Sequence, residues 1–361
     1  MDSIKILEVW WNGRLVGKIA QNHERLCVFE YDKDYLADGI SISPLELPLR
    51  KGVFTASATP FDGGFGVFDD SLPDGWGLLI LDRYLQKRHI NPHSLTLLDR
   101  LSLVGTNGRG ALEFKPDRSV MSHDEYVDFE KLAASAELVM ETEDYHGEDI
   151  DIFYKKGGSP GGVRPKVFVR YDNKEWLVKF PAKYDRKDIG KKEYNYSLLA
   201  KKCGVDMPET RLFENKYFGV ERFDRSNTGK YHVISMAGLV RADYRSPSID
   251  YVHIFQVCRH ITNDMREMWK VYKLMVFNYL IGNKDDHAKN FSFIYKEGGW
   301  HLSPAYDLLP SSGFNGFHTT SFNDSIEPTD KDILSVAEIS GLNLGKAQEI
   351  LLRMKKIVRV Y

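Results

Sequence analysis

The sequence predicts an α+β fold with a strand-rich beginning, a mixed middle and a mostly helical end. Short β-rich segments separated by turn residues fill the first part of the chain. The densest glycine cluster, at 157–162, precedes two further strands, and helical spacing of apolar residues dominates from about residue 241. A length of 361 residues suits two or three packed units. We therefore expect an N-terminal β-rich subdomain at 1–115, a middle lobe at 116–240 and a helical lobe at 241–361.

Composition excludes several classes of protein. The 49 basic and 51 acidic residues nearly cancel, so no global field would steer the chain to nucleic acid or to an anionic membrane. Cys27, Cys203 and Cys258 are widely spaced and form no C-x-x-C pair, which argues against a zinc site or a disulfide framework. The N-terminus lacks the apolar run of a signal peptide, and the most apolar stretch, 271–281, is too short to span a bilayer. We expect a cytoplasmic protein without a membrane association.

The N-terminal part begins as a β-hairpin. Strand patterns at 4–10 and 15–19 flank Asn12-Gly13, a typical two-residue hairpin turn. A helix start at 70–74 and helical spacing from Trp76 to Gln86 predict the first long helix. A second short helix is expected at 94–103 and a strand at 111–114.

The middle and C-terminal parts continue with alternating element types. An acidic, largely helical connector is expected at 121–148. The strands predicted in the middle part are 166–170, 175–180, 209–213 and 217–223, with a helix at 192–202. The helix at 268–281 is apolar on nearly every face and is expected to be buried. It is followed by a polar loop at 282–290, a hairpin at 291–302 and further helices after a polar stretch at 311–325.

Three polar residues near the end of that helix match the needs of phosphoryl transfer. This chemistry needs a group that orients the attacking hydroxyl and oxygen ligands for Mg²⁺. Asp285 precedes Asn290 by five residues, and the hairpin then leads to Asp307. An isolated pair with this spacing is more often a polar turn after a helix. The hairpin and Asp307 favour the alternative, a site in a two-lobed, protein-kinase-like fold that uses ATP and Mg²⁺.

Two residues of the middle part could help to bind the phosphates of ATP. Lys179 lies in an otherwise apolar strand, where a lysine needs either solvent or an anion. Glu193 opens the next helix and could pair with Lys179. The simpler interpretations are an exposed edge-strand lysine and a helix-start acid.

The glycine cluster and the polar loop each allow two interpretations. Consecutive glycine N–H groups can bind phosphate, although a flexible turn is commoner. Ser159 is either an ordinary polar loop residue or a phosphorylation site, whose phosphate would repel the phosphates of ATP or pull the loop outward. Asp286 and His287 could suggest a transition-metal site, but His287 is expected to position the loop.

The motifs together resemble the HipA family, the serine/threonine kinase toxins of bacterial HipBA toxin–antitoxin systems. The resemblance covers almost the whole length. The segments that carry it are Asn12-Gly13 with Val16-Gly17, Leu72-Pro73-Asp74-Gly75-Trp76-Gly77, Gly108-Arg109-Gly110-Ala111-Leu112, Gly161-Gly162-Val163-Arg164-Pro165-Lys166, Trp176-Leu177-Val178-Lys179-Phe180-Pro181, Glu221-Arg222-Phe223-Asp224-Arg225, Asp286-His287-Ala288-Lys289-Asn290-Phe291-Ser292 and Tyr306-Asp307-Leu308.

The resemblance implies a role for each residue of the site. Asp285 would be the catalytic base, Asn290 and Asp307 the Mg²⁺ ligands, and Ser159 an inhibitory autophosphorylation site. The ATP-binding set that it implies is Lys179, Gly158, Ser159, Gly161, Gly162, Glu193, His287, Lys289 and Asn290.

The resemblance also implies partners. Family members phosphorylate a translation factor, notably an aminoacyl-tRNA synthetase, and bind a helix-turn-helix, HipB-like antitoxin that carries the complex to DNA. This chain departs from the family in being shorter than its long members and in having Pro160 after Ser159, which stiffens the loop. Two alternatives remain: a catalytically silent co-repressor in a DNA-binding complex, and a kinase of small molecules or lipids.

Overall fold

The computed structural model describes residues 2–120, 128–142, 145, 147–157, 161–313 and 315–361. These residues form two compact units. Unit 1 contains Met1–Lys191 and Glu209–His232, and unit 2 contains Lys192–Pro208 and Val233–Tyr361. The three-part division expected from the sequence stays a prediction. Within the described ranges, no helix combines the length and apolar character needed to cross a membrane.

Unit 1 begins with a five-stranded antiparallel sheet in the order β4-β3-β2-β1-β5. Its strands are β1 (Ile6–Trp11), β2 (Arg14–Gln21), β3 (Cys27–Tyr31), β4 (Val53–Thr55) and β5 (Leu112–Lys115). Asn12 and Gly13 both have positive φ angles, +45° and +79°, and Trp11 pairs with Arg14. Two left-handed residues match the right-handed twist of the flanking strands. The predicted hairpin is confirmed.

Within the described part of unit 1, six α-helices precede its second sheet. They are α1 (Tyr35–Asp38), α2 (Gly66–Asp69), α3 (Gly75–Gln86), α4 (Leu97–Val104), α5 (Phe129–Glu141) and α6 (Asp149–Gly157), with a 3₁₀ turn at Pro92–Ser94. The helix expected at 94–103 starts later because Thr96 caps it. The Thr96 hydroxyl accepts the Asp99 N–H at 3.1 Å, and the Asp99 carboxylate accepts the Thr96 N–H at 3.1 Å. Helix α6 was not predicted, and Gly157, expected in the glycine loop, is its last residue.

A four-stranded antiparallel sheet in the order β6-β7-β9-β8 completes unit 1. Its strands are β6 (Lys166–Tyr171), β7 (Lys174–Lys179), β8 (Thr210–Phe213) and β9 (Tyr217–Glu221), followed by a short hairpin of β10 (Arg225–Ser226) and β11 (Gly229–Lys230). Apolar side chains of α3, α5 and α6 form one core with this sheet. Within it, the Trp76 and Phe153 rings meet edge to face at 5.1 Å.

A buried ion cluster joins the Gly108–Gly110 turn to the chain after β9. Asp224 accepts two hydrogen bonds from Arg222, at 3.0 and 2.8 Å, and one from Arg225 at 2.9 Å. It also accepts the Gly110 N–H at 2.8 Å, while both arginines donate to the Gly108 carbonyl. Burial favours a raised pKa for Asp224, but the charges of Arg222 and Arg225 outweigh it and hold that pKa well below its usual range. The carboxylate therefore stays charged inside the protein.

Unit 2 contains most of α7 (Ile189–Cys203), β12 (His232–Ser235) from Val233 onward, and the elements that follow β12. These are α8 (Met236–Val240), β13 (Ile249–Asp250), α9 (Tyr251–Thr262), α10 (Met265–Ile281), a 3₁₀ turn at Ala288–Asn290, β14 (Ser292–Lys296), β15 (Gly299–Leu302), β16 (Thr320–Ser321), α11 (Asp330–Ile339) and α12 (Leu344–Val360). Strands β12, β14 and β15 form one sheet, and β13 pairs in parallel with β16.

Helix α10 is the buried helix expected at 268–281. Its Asp264 cap accepts the Arg266 N–H at 2.8 Å, and the helix ends at Gly282, whose φ of +66° suits a residue without a Cβ atom. Glu267, buried in its first turn, accepts the Leu302 N–H at 2.9 Å. This bond attaches the β14–β15 hairpin to the helix, so the polar loop between them starts and ends on fixed structure.

Replacing the centre of the ion cluster is expected to destabilise the protein strongly. Asp224→Ala would remove the buried carboxylate that binds both Arg222 and Arg225, leaving them the partly exposed Glu175 carboxylate at 3.2 and 3.4 Å. We expect a loss of about 3–5 kcal/mol in the free energy of unfolding. The measurement is urea denaturation of both proteins. Asp188→Ala is the matched control, since its ion pair with Arg186 is exposed on both sides and should cost at most about 1 kcal/mol. Equal losses in the two variants would contradict the role given to Asp224.

Candidate active site

The loop after α10 holds the backbone of Asp285 from two sides. Its N–H donates to the Ser311 hydroxyl at 2.8 Å, and its carbonyl accepts the Asn290 side-chain amide at 2.7 Å. The side chain is 65% exposed. The structure thus fixes the position of Asp285 and leaves its carboxylate accessible to a reactant.

Asp286 is completely buried and anchors the same loop. One of its oxygens accepts the N–H groups of Thr319 and Thr320, at 2.9 and 3.1 Å. The other contacts the Tyr251 hydroxyl and the His318 Nδ1, each at 3.0 Å. Burial, followed by the charge of Asp286, raises the pKa of Tyr251 well above its ordinary value. Tyr251 therefore remains a hydrogen-bond donor at neutral pH.

A chain of buried amides continues from Tyr251 to Asp307. Asn278 donates to the Tyr251 hydroxyl at 3.0 Å, and Asn283 donates to Asn278 at 3.0 Å and to the Asp307 carbonyl at 3.2 Å. Asp307 has a φ of +55°, a left-handed conformation that few non-glycine residues adopt. Strained positions of this kind persist where the surrounding structure fixes them, and they cluster at functional sites. The network links the Asp285 loop to Asp307.

The candidate Mg²⁺ ligands suit the metal chemically. The hydrogen bond of Asn290 to Asp285 uses the nitrogen end of the amide and turns the oxygen end away. An amide oxygen and the exposed Asp307 carboxylate are the oxygen ligands that Mg²⁺ prefers, with water completing its shell. Among the described residues, no group of three His, Cys, Asp or Glu side chains could hold a metal ion.

His287 and Asp286 face different partners. Asp286 is buried against Tyr251 and His318, whereas the Nδ1 of His287 accepts the Lys289 N–H at 3.2 Å. The Nε2 of His287 lies 4.0 Å from the Asp285 carboxylate. This arrangement favours the interpretation of His287 as a loop-positioning residue over a transition-metal ligand.

A cavity of about 180 Å³ opens beside Asp285. Its lining residues are Tyr244, Arg245, Ser246, Pro247, Asp285, His287, Gly313 and Thr319. The Tyr244 ring lies 3.9 Å from the Lys289 ammonium and 4.7 Å from the Arg245 guanidinium. The cavity is large enough for an amino-acid side chain, and Asp285 is part of its lining.

The residues of unit 1 that are candidates for binding phosphate lie at one end of its four-stranded sheet. Lys179 ends β7 and is 8% exposed, and its register partner across the strand pair is Lys166, which is 3% exposed. The Lys166 ammonium contacts the Gly161 carbonyl. The sequence analysis placed Lys166 in the segment that resembles the family's phosphate loop, but it did not count Lys166 among the candidate site residues. Gly158 and Ser159 lie outside the described residues.

Glu193 is buried in α7, in unit 2, whereas Lys179 belongs to unit 1. Their pairing stays a prediction. The roles of the other candidate site residues also stay predictions, now with a defined geometry for Asp285, Asn290 and Asp307.

Substitutions at the adjacent Asp285 and Asp286 are expected to differ strongly in their effect on the free energy of unfolding. Asp286→Ala leaves four donors of the buried network without their acceptor and should lower the free energy of unfolding by roughly 3–5 kcal/mol. Asp285→Asn removes an exposed charge and should change it by less than about 0.5 kcal/mol. Chemical denaturation of the two variants against wild type makes the comparison. A stable Asp286→Ala protein would show that the network does not hold the loop.

Comparisons with known proteins agree on one family. The model of the HipA-like C-terminal domain matches residues 158–360, and that of the HipA N-terminal domain matches residues 7–115. "Putative kinase Y4mE" of Sinorhizobium fredii is 26% identical over 348 residues, covering 86% of this chain and 79% of its own. The serine/threonine-protein kinase toxin HipA of Shewanella oneidensis is 24% identical over 339 residues, covering 82% of this chain and 74% of the relative.

A solved structure shows the same fold. The Shewanella oneidensis HipA, HipB and operator DNA complex contains a chain that superposes with a TM-score of 0.75 at 20% identity, covering 98% of this chain and 88% of the other. The α+β, kinase-like fold expected from the sequence is therefore confirmed. Because a family model matches more than half of its residues, the chain belongs to the HipA family.

Proposed function

We propose that the protein is a serine/threonine protein kinase that transfers the γ-phosphate of ATP to a protein hydroxyl. One observation carries the proposal: the Asp285 backbone is fixed by Ser311 and Asn290 while its carboxylate stays accessible beside a cavity. A catalytic aspartate needs this combination, since it must be held rigidly and still reach a substrate.

The acceptor hydroxyl would enter the cavity lined by Tyr244, His287 and Asp285. Asp285 would orient this hydroxyl and accept its proton as the oxygen attacks phosphorus. Mg²⁺ would be held by Asn290 and Asp307, and it would neutralise charge on the phosphate oxygens. Lys179, buried at the end of β7, and the glycine segment, defined as residues 158–162, would bind the phosphates. Glu193, His287 and Lys289 would support the site.

The biological role is part of the proposal. We propose a cytoplasmic toxin that acts on a translation factor such as an aminoacyl-tRNA synthetase and is inactivated by autophosphorylation at Ser159. The Shewanella oneidensis relative is a serine/threonine-protein kinase toxin, and the superposed structure is a complex of HipA, HipB and operator DNA. These relatives support a HipB-like, helix-turn-helix antitoxin as the partner, with DNA reached only through it.

The direct test is phosphoryl transfer from γ-labelled ATP in Mg²⁺. Wild type should label itself at Ser159, and chelation of Mg²⁺ should stop the reaction. Asp285→Asn should lower the rate by about 10²–10⁴-fold, because the base that accepts the hydroxyl proton is lost. Asp172→Asn makes the same chemical change in an exposed turn with a φ of +53°, which asparagine tolerates, and should leave the rate unchanged.

Two results would overturn the proposal. A wild-type protein that neither binds ATP nor transfers phosphate would favour the co-repressor alternative. Labelling of a small molecule or a lipid, with no labelled protein, would favour a kinase of small molecules or lipids. Ser159→Ala separates the regulatory part, since it should keep transfer to other proteins while the self-label disappears.

Cellular toxicity should depend on the same site. Expression of wild type should arrest growth, and Asp307→Ala should relieve the arrest because it removes a charged Mg²⁺ ligand. Growth curves after induction, with immunoblots showing equal protein levels, make the measurement. Equal arrest by both proteins would mean that toxicity does not require phosphoryl transfer.

A further inference from the structure

The turn before α3 contacts the glycine segment directly. The Gly162 N–H donates to the Asp74 carboxylate at 2.5 Å, and the Trp76 N–H donates to the Gly162 carbonyl at 3.0 Å. Residues 74–76 come from the segment matched by the HipA N-terminal domain, and Gly162 from the segment matched by the C-terminal domain. Both backbone polar groups of Gly162 are therefore used by one turn of the other domain.

The two segments approach so closely that side chains would not fit between them. A Cβ atom on Gly75 would lie 2.5 Å from the Gly162 carbonyl oxygen, and the φ of Gly75 is +47°. A Cβ atom on Gly161 would lie 3.1 Å from the Asp74 carboxylate. The contact and the left-handed conformation together exclude a side chain at Gly75, and the contact leaves little room for one at Gly161.

The turn itself rests on rigid structure. Trp76 is 2% exposed and packs edge to face on Phe153 of α6, the helix that ends where the glycine segment begins. The Lys166 ammonium also contacts the glycine segment, at the Gly161 carbonyl. The Asp74 carboxylate and the Lys166 ammonium therefore both bind the end of the glycine segment.

We propose that Asp74 is a positioning residue for nucleotide binding, which rests on the kinase function proposed above. By fixing the Gly162 amide, Asp74 holds the end of the loop in one conformation before ATP arrives. Affinity then improves because less backbone entropy is lost on binding. The N-terminal domain would act on the nucleotide site through this turn without touching the nucleotide.

The test compares Asp74→Ala, Asp74→Asn and the control Asp82→Ala. Asp82 lies on the same helix and pairs with Arg100 at 3.2 Å, away from the glycine segment. The readouts are the KM for ATP and kcat of phosphoryl transfer, the Kd of a non-hydrolysable ATP analogue, and Tm. Asp74→Ala should raise KM and Kd about 10-fold, with kcat within about 2-fold and Tm close to that of Asp82→Ala.

Rescue by the conservative variant separates positioning from a merely structural role. Asparagine keeps an oxygen that accepts the Gly162 N–H, so Asp74→Asn should stay within about 3-fold of wild type in KM. An unchanged KM in Asp74→Ala would overturn the inference. Tighter ATP binding would also overturn it, since it would mean that the carboxylate competes with phosphate.

Three outcomes of these measurements separate the positioning role of Asp74 from the kinase function of the protein. If wild type binds ATP and transfers phosphate while Asp74→Ala behaves identically, the positioning role alone is wrong. If Asp74→Asn loses as much affinity as Asp74→Ala and both lose Tm, the contact is structural. If wild type shows neither nucleotide binding nor transfer, the kinase proposal fails and the inference fails with it.

Discussion

The geometry of the candidate active site depends on the burial of one charged group, the Asp286 carboxylate. A carboxylate without water is tolerated when its hydrogen bonds are satisfied, and Asp286 contacts four partners contributed by Tyr251, His318, Thr319 and Thr320. Movement of the loop would leave that charge buried and unpaired. Because Asp285 is the preceding residue in the chain, the bonds of Asp286 also restrict the backbone of Asp285. Its own side chain therefore needs no buried contacts and can face a substrate.

In unit 1, Asp224 is likewise a buried carboxylate whose hydrogen bonds fix a turn. Its carboxylate binds Arg222 and Arg225, and through them and its own bond to Gly110 it fixes the turn that precedes β5. Motifs that are far apart in the sequence thus meet as pairs. The turn at 108–110 meets the arginine segment after β9, and the turn at 74–76 meets the glycine segment. Each pair combines one segment from each of the two HipA domain models.

Local patterns predicted the parts of the fold that local interactions determine. The Asn12-Gly13 turn, the buried helix α10 and the hairpin after Asn290 follow from turn chemistry and periodicity, and the structure confirms them. The spacing of Asp285, Asn290 and Asp307 selected the loop for the same reason. The sequence did not show the partners of Asp286, because these come from residues far away in the chain. The Thr319 and Thr320 amides bind Asp286 across more than thirty residues, and the sequence pattern gives no sign of that separation.

The division of labour between Asp285 and Asp286 also explains why the sequence was ambiguous at this loop. Two consecutive carboxylates after a helix are equally compatible with a solvated turn and with a site. The folded structure makes the difference, because it leaves Asp285 exposed and buries Asp286 completely. One carboxylate enters the protein and finds donors, and the other lies beside the cavity. A functional aspartate here is the exposed member of a pair whose buried member supplies the rigidity.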